Sequence, residues 1–474
     1  MFMLPAPHFA LTFFPPGYTP AVPMGSWSIE QTLQASQKWH VGTWSPTTLS
    51  VVCNTGDSLI IYTNQWNSDA GAAFIPSISP GSLIKIYDPE ATYLGTAEPV
   101  FAQAFAVFNL AAGTYTITPP NLGGPGGDGD IYVLRVAGLQ GIRTYGAAEI
   151  GGGATNTGSY TSISATLQAA DVAGDLIVAI GGTDNNTVTT TLTVATPTGF
   201  TNLAKQTDGT NSPPSSFDYK TGVGSAETVT YTWPNYASPV GEAILAAFMP
   251  IATRSVLAYA SKADPNQTST TSPLITSGIT TPVYGSTIIV ELLTQSTSTA
   301  PVSNFSDSYG NTWTLVATNY YAGGTSANGE FPCYLLKCVN AKGGINHTFQ
   351  LTKNSVQDEC TIYAVVLNGG DIGNYTVNTT GTYSGSVTTS QANSIVLSFW
   401  SPNDTGAAGY TDNYHAPAGW TQMANNNNAY NSMSGADAYI SVPVAGTVVT
   451  ATWTADNTGN GINANQCMYM VEVT

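Results

Sequence analysis

Short runs in which apolar and β-branched residues dominate recur along this chain, each bounded by Gly, Pro, Asn, Asp or Ser. Such runs read as β-strands, and no stretch carries the 3.6-residue period of an amphipathic helix over any length. Apolar runs at Asp175–Gly181, Ser286–Thr294 and Ser394–Trp400 each lie 18 to 30 residues before an aromatic-Thr-any-aliphatic-Ala motif. The motif occurs at Phe200-Thr201-Asn202-Leu203-Ala204, Trp313-Thr314-Leu315-Val316-Ala317 and Trp420-Thr421-Gln422-Met423-Ala424. A tyrosine strand follows around Tyr219, Tyr334 and Tyr439, then a Thr-aromatic pair at Thr232-Trp233, Thr348-Phe349 and Thr452-Trp453. Each unit closes on an apolar strand, at Glu242–Met249, Thr361–Leu367 and Met468–Thr474.

The motif copies stand 113 and 107 residues apart, the length of one β-sandwich. Each follows a turn signal: Pro197-Thr198-Gly199, Tyr309-Gly310-Asn311 or Pro417-Ala418-Gly419. In the two Pro-x-Gly cases proline fixes φ near the start of the turn and glycine ends it. The aromatic and aliphatic positions of the motif are three apart and so face opposite sides of a flat strand. Either the aromatic belongs to the turn or a bulge intervenes. Residues from about 38 to 138 form a divergent fourth copy, in which Gly56–Asn64 resembles the first run and Ile131–Ala137 the last, without the aromatic-Thr motif. Ser28–Lys38 fits equally a short helix capped by Ser28 and Gln31 or a first strand.

The expected fold is therefore all-β: about four tandem β-sandwich domains, jelly-roll or Ig-like, behind an extended N-terminal arm. The boundaries expected are 1–27 for the arm and 28–140, 141–252, 253–369 and 370–474 for the sandwiches. Their joints, near Gly138–Gly153, Met249–Ser255 and Asn368–Gly373, are short and favour a rod or compact stack over freely swinging beads.

Composition sharpens this picture. Only 8% of residues are charged, against about 25% in ordinary soluble domains. Ser, Thr, Asn and Gly take their place, residues suited to strand faces and turns. The net charge of −17, with no Lys or Arg from Asp371 onward, argues against nucleic-acid binding, which needs basic side chains on phosphates. No apolar run is long enough for a membrane-spanning helix. The start of the chain is apolar and proline-rich, with its first basic side chain at Lys38; a secretory leader is not expected there. It reads instead as an anchoring arm in which Phe9, Phe13, Phe14 and Tyr18 dock on a partner.

Chemistry is sparse. The histidines are His8, His40, His347 and His415, and none sits in a catalytic motif. Cys333, Cys338, Cys360 and His347 share the third repeat, but Cys-x4-Cys on one strand points its sulfurs to opposite faces. Buried thiols are the expected state, with a Cys360 disulfide to Cys333 or Cys338 the alternative. The glycine-rich loop before Asp130 lacks the ending of a phosphate loop, and Asp128 and Asp130 lack the acidic repeat of a calcium loop. No catalytic residue, metal or cofactor is assigned. One patch suits ligand binding: Tyr410, Tyr414, Trp420 and Tyr430 among asparagines, where rings with polar edges stack on sugars.

The repeated unit, with Pro197-Thr198-Gly199-Phe200-Thr201 and Pro417-Ala418-Gly419-Trp420-Thr421 before a tyrosine strand, resembles the sandwich domains strung together in virion proteins of tailed bacteriophages. Those domains occur in head-decoration proteins, head fibres and tail fibres, and in some bacterial surface proteins. The resemblance covers roughly residues 145–474. It implies a non-enzymatic structural or attachment role on the virion surface. It also implies other virion proteins, major capsid or tail, as partners. Charge-poor strands with Thr and Asn faces invite edge pairing, so self-association is expected, and a host cell-surface glycan is the candidate ligand of the distal aromatic patch. Two other readings stand beside it: an exported cell-surface adhesin or filament subunit, and a carbohydrate-binding protein.

Overall fold

The computed structural model describes residues 26–37, 43–67, 75–88, 100–120, 122, 127–150, 160–183, 193–207, 214–233, 241–251, 254–264, 272–294, 304–320, 332–353, 360–378, 383–404, 414–426, 435–455 and 462–474. The protein is all-β, with every strand pairing antiparallel. Ser28–Gln37 is a strand, not a helix; it pairs along its length with Gly127–Ala137, so the closing strand of the first repeat overrides the capping pattern.

Four units share one topology. In each, the first strand pairs with the last, and the last pairs with a long apolar strand. That strand pairs with a fourth, which closes on a short outer strand in a hairpin. In the second repeat the lateral order is Leu139–Ile150, Gly241–Pro250, Leu176–Gly182, Ser215–Thr221, Thr201–Gln206. In the first it is Ser28–Gln37, Gly127–Ala137, Ser58–Asn67, Val100–Val107, Ile84–Tyr87. The third runs Val256–Asp264, Cys360–Leu367, Tyr284–Thr294, Pro332–Lys342, Thr314–Tyr320. The fourth runs Ile372–Asn378, Ile462–Val473, Ser394–Asp404, Gly435–Val442, Thr421–Asn426. A small second sheet, such as Ser162–Thr166 with Thr228–Thr232, covers one face of each large sheet.

The other face of each large sheet is covered by another repeat. Ile60, Tyr62, Ala104 and Tyr132 of the first repeat form one core with Val178, Ile180, Phe217 and Ile244 of the second. Ile289, Leu335 and Val365 of the third form another with Leu397, Phe399 and Tyr469 of the fourth. Repeats thus pair sheet to sheet, first with second and third with fourth. Both faces of Leu176–Gly182 are buried along its whole length, which is why it reads as a continuous apolar run rather than an alternation.

Double burial also explains the spacing of the aromatic-Thr motif. Phe200 belongs to the turn, its N–H donating to the Pro197 carbonyl at 3.1 Å, and the strand starts at Thr201. A bulge then falls at the aliphatic residue in every copy: between Asn202 and Ala204, Leu315 and Ala317, and Gln422 and Ala424. The aromatic packs into its own sandwich, whereas Leu203, Val316 and Met423 pack into the cores between repeats. The first repeat keeps the device without the motif: the same bulge lies between Lys85 and Tyr87, and Leu83 takes the aromatic's place against the inner core.

The two pairs meet edge to edge at one residue pair, Ile142 with Tyr284. Gly141 and Gly285 let the backbones cross there; a Cβ on Gly285 would lie 2.5 Å from the Gln140 carbonyl oxygen. Phe108 of the first repeat stacks on Tyr284 of the third, with centroids 6.0 Å apart.

Candidate functional site

Of the expected ligand patch, Tyr414 and Trp420 lie among the described residues, and Tyr414 is not open for stacking. Tyr414 is 1% exposed and packs edge-on against Trp400 inside the fourth sandwich, centroids 5.1 Å apart. It is a core residue, because Trp400, Trp453 and Tyr414 together fill that sandwich. Trp420 is half-buried at the rim of the same core, held by the Pro417 turn. Tyr410 and Tyr430 lie outside the described residues, as do the arm residues Phe9, Phe13, Phe14 and Tyr18. The first described aromatic, Trp27, at the end of the expected arm, donates its indole N–H to the Gly174 carbonyl of the second repeat at 2.9 Å and packs edge-on against Tyr219.

The cysteines are free thiols and all buried, so neither Cys360 pairing is formed. Cys338 and Cys360 line the inner core of the third repeat, while Cys333 lies on the opposite face, in the core shared with the fourth. His347 does not join them. It is fully buried, with Nδ1 3.0 Å from the Thr281 hydroxyl and Nε2 3.7 Å from Asp307. This Thr-His-Asp line resembles a nucleophile relay, but Thr281 is itself buried and also accepts the Gly344 N–H at 3.1 Å. Asp307 meanwhile caps a turn through the N–H groups of Tyr309 and Asn311. Burial alone would raise the Asp307 pKa; the neighbouring His347 and hydrogen bonds from Tyr309 and Asn311 outweigh it and hold it below the ordinary value. The arrangement anchors a loop and offers no open nucleophile.

Carboxylates mark the core between the first two repeats. Asp130 accepts from Ser36 at 2.6 Å and from Ser215, across the interface, at 3.1 Å. Ser215 also shares a 2.8 Å hydrogen bond with Tyr132. Burial pushes Asp130 up to about 7 against the pull of these donors. Its oxygens are committed to hydroxyls at the interface.

Two surfaces stand out among the described residues. Where all four repeats meet, a cleft of 640 Å³ is lined by Arg254, Gln140, Tyr284, Gly285 and Gly370. Burial lowers the Arg254 pKa, and its Nη1 lies 3.4 Å from Gln140 Oε1; the cleft carries the Asp371 carboxylate as well as this guanidinium. The second surface is the outside of the small sheets, where neutral hydroxyls pair across strands. Ser164 pairs with Thr230 at 2.7 Å, Thr166 with Thr228 at 2.8 Å, Ser384 with Thr452 at 3.0 Å and Ser386 with Thr450 at 2.8 Å.

No protein-family model matches the chain, and no curated protein is detectably similar to it. No helix among the described residues is long and apolar enough to cross a membrane.

Proposed function

We propose that this chain is a structural protein of a bacteriophage particle surface, of the head-decoration, head-fibre or tail-associated kind. In this reading the N-terminal arm and the first repeat attach it and its last repeats project. The observation that carries the proposal is the double covering of every large sheet. Repeats locked sheet to sheet make a stiff body, and the small sheets of the second and fourth repeats turn neutral hydroxyl ladders outward, a surface little affected by salt or pH. That is what a particle exposed to changing surroundings requires. The resemblance of the repeated motif to phage virion sandwiches points the same way. Immunogold labelling of intact, purified particles of the encoding phage tests it. Label on the particle surface supports the reading; protein found only in infected cells, or exported by an uninfected host, replaces it with the adhesin reading.

A further inference from the structure

The core between the third and fourth repeats contains one residue that breaks its pattern. On the long central strand of each repeat, pairing with the last strand begins at Ser58, Leu176, Thr287 and Ile395. Four residues further on, in the middle of the interface, stand Tyr62, Ile180, Glu291 and Phe399. Three are apolar or aromatic, and the third repeat has a carboxylate. Glu291 is fully buried. Its Oε2 accepts from Ser401 of the fourth repeat at 3.1 Å, while Oε1 is enclosed without a hydrogen-bond partner. Among the described residues no lysine or arginine pairs with it. A carboxylate so placed is costly unless a cation or further donors meet it.

What meets it is sulfur. Cys333 of the third repeat and Cys467 of the fourth are both fully buried. Their Sγ atoms and a Glu291 oxygen all lie within 4.8 Å of one another. Asp437, on the neighbouring strand of the fourth repeat, has one oxygen on the Ala424 N–H at 2.6 Å and the other buried without a partner. Two thiols and one incompletely satisfied carboxylate thus converge from both repeats on one enclosed point, with the Asp437 carboxylate in electrostatic reach of Glu291.

We propose that this cluster is a structural zinc site that clamps the third repeat to the fourth, with Cys333, Cys467 and Glu291 as ligands and Asp437 supplying the remaining free oxygen. Tetrahedral zinc holds two thiolate sulfurs about 3.8 Å apart, within reach of small side-chain rotations. Binding displaces the two thiol protons to solvent, which makes zinc uptake weaker as pH falls. A disulfide between the same cysteines would need a two-electron oxidant and would leave Glu291 Oε1 unpartnered. The site does not depend on the role proposed above.

The test is metal analysis by mass spectrometry of the full chain equilibrated with zinc chloride and freed of excess, with thiols counted in denaturant. The expected result is one zinc per chain and all five cysteines reactive as thiols. Glu291→Gln and Cys467→Ser, each folded by circular dichroism, should retain less than about a tenth of it, whereas Cys338→Ser and Cys360→Ser should retain it fully. Cobalt(II) in place of zinc should give the sulfur-to-metal absorption of a thiolate site. Five thiols without zinc, three thiols with none bound, or zinc lost with Cys338 or Cys360 instead of Cys467 would each overturn the proposal.

Discussion

Tyr62, in the first repeat, donates its hydroxyl hydrogen to the backbone carbonyl of Val178 in the second at 3.1 Å, across the core that the two repeats share. The bond fixes the register of one large sheet on the other. It sits beside Phe217, whose ring lies 5.6 Å from that of Tyr62 and 5.1 Å from that of Tyr132.

Phe217→Ala removes the ring that both tyrosines pack on. A truncation of this kind costs about 3–5 kcal/mol. Because the ring belongs to a core shared by two repeats, protection against hydrogen exchange should fall in both Leu176–Gly182 and Ser58–Asn67. Loss confined to the second repeat would mean that the sandwiches are energetically separate.

Gly285→Ala strikes the crossing between the pairs. The position has φ +94°, and the added methyl would meet the Gln140 carbonyl oxygen at 2.5 Å and the Gly141 Cα at 2.7 Å. A loss of about 2 kcal/mol or more follows from the backbone conformation and the overlap together. Thermal melting measures it, and limited proteolysis should then cut between the second and third repeats.

Asp130 makes stability fall with rising pH. Its folded value is near 7, raised by burial, above the ordinary carboxylate value near 4 in the unfolded chain. The folded state therefore holds the proton longer. Its contribution is fully present below about pH 4 and is lost between about pH 4 and pH 7. Urea titrations at pH 5 and pH 8 should show lower stability at pH 8, and Asp130→Asn should narrow the gap.

Glu472 acts in the opposite sense. Burial would raise its pKa, but N–H groups of Asn374 and Gln391 and the hydroxyls of Ser394 and Ser390 hold it below the usual value. Its contribution is present above about pH 4 and is lost as pH falls through the lowered folded value. Glu472→Gln should cost about 2–4 kcal/mol at pH 6 and less in acid, read by urea denaturation.

Repetition and strand type were legible in the sequence because turns and β-branched runs are local signals. The mutual covering of the large sheets was written there too, in runs such as Leu176–Gly182 that are apolar at every position and so need cover on both faces. Which repeat covers which depends on contacts more than a hundred residues apart, such as Tyr62 with Val178, and no local pattern encodes that. Tyr414 misled because a tyrosine among asparagines looks the same whether its ring points out or into Trp400. The cluster at Glu291 was missed because its cysteines lie in different repeats; the signal was a lone carboxylate inside an apolar run.

The add-back assay tests the particle-surface account most directly. Full-length protein and a form lacking residues 1–27, both shown to be folded, are mixed separately with particles that lack this protein and then sedimented. The account predicts that the full-length chain pellets with the particles and the truncated one stays in solution. Full-length protein that remains in solution would contradict it.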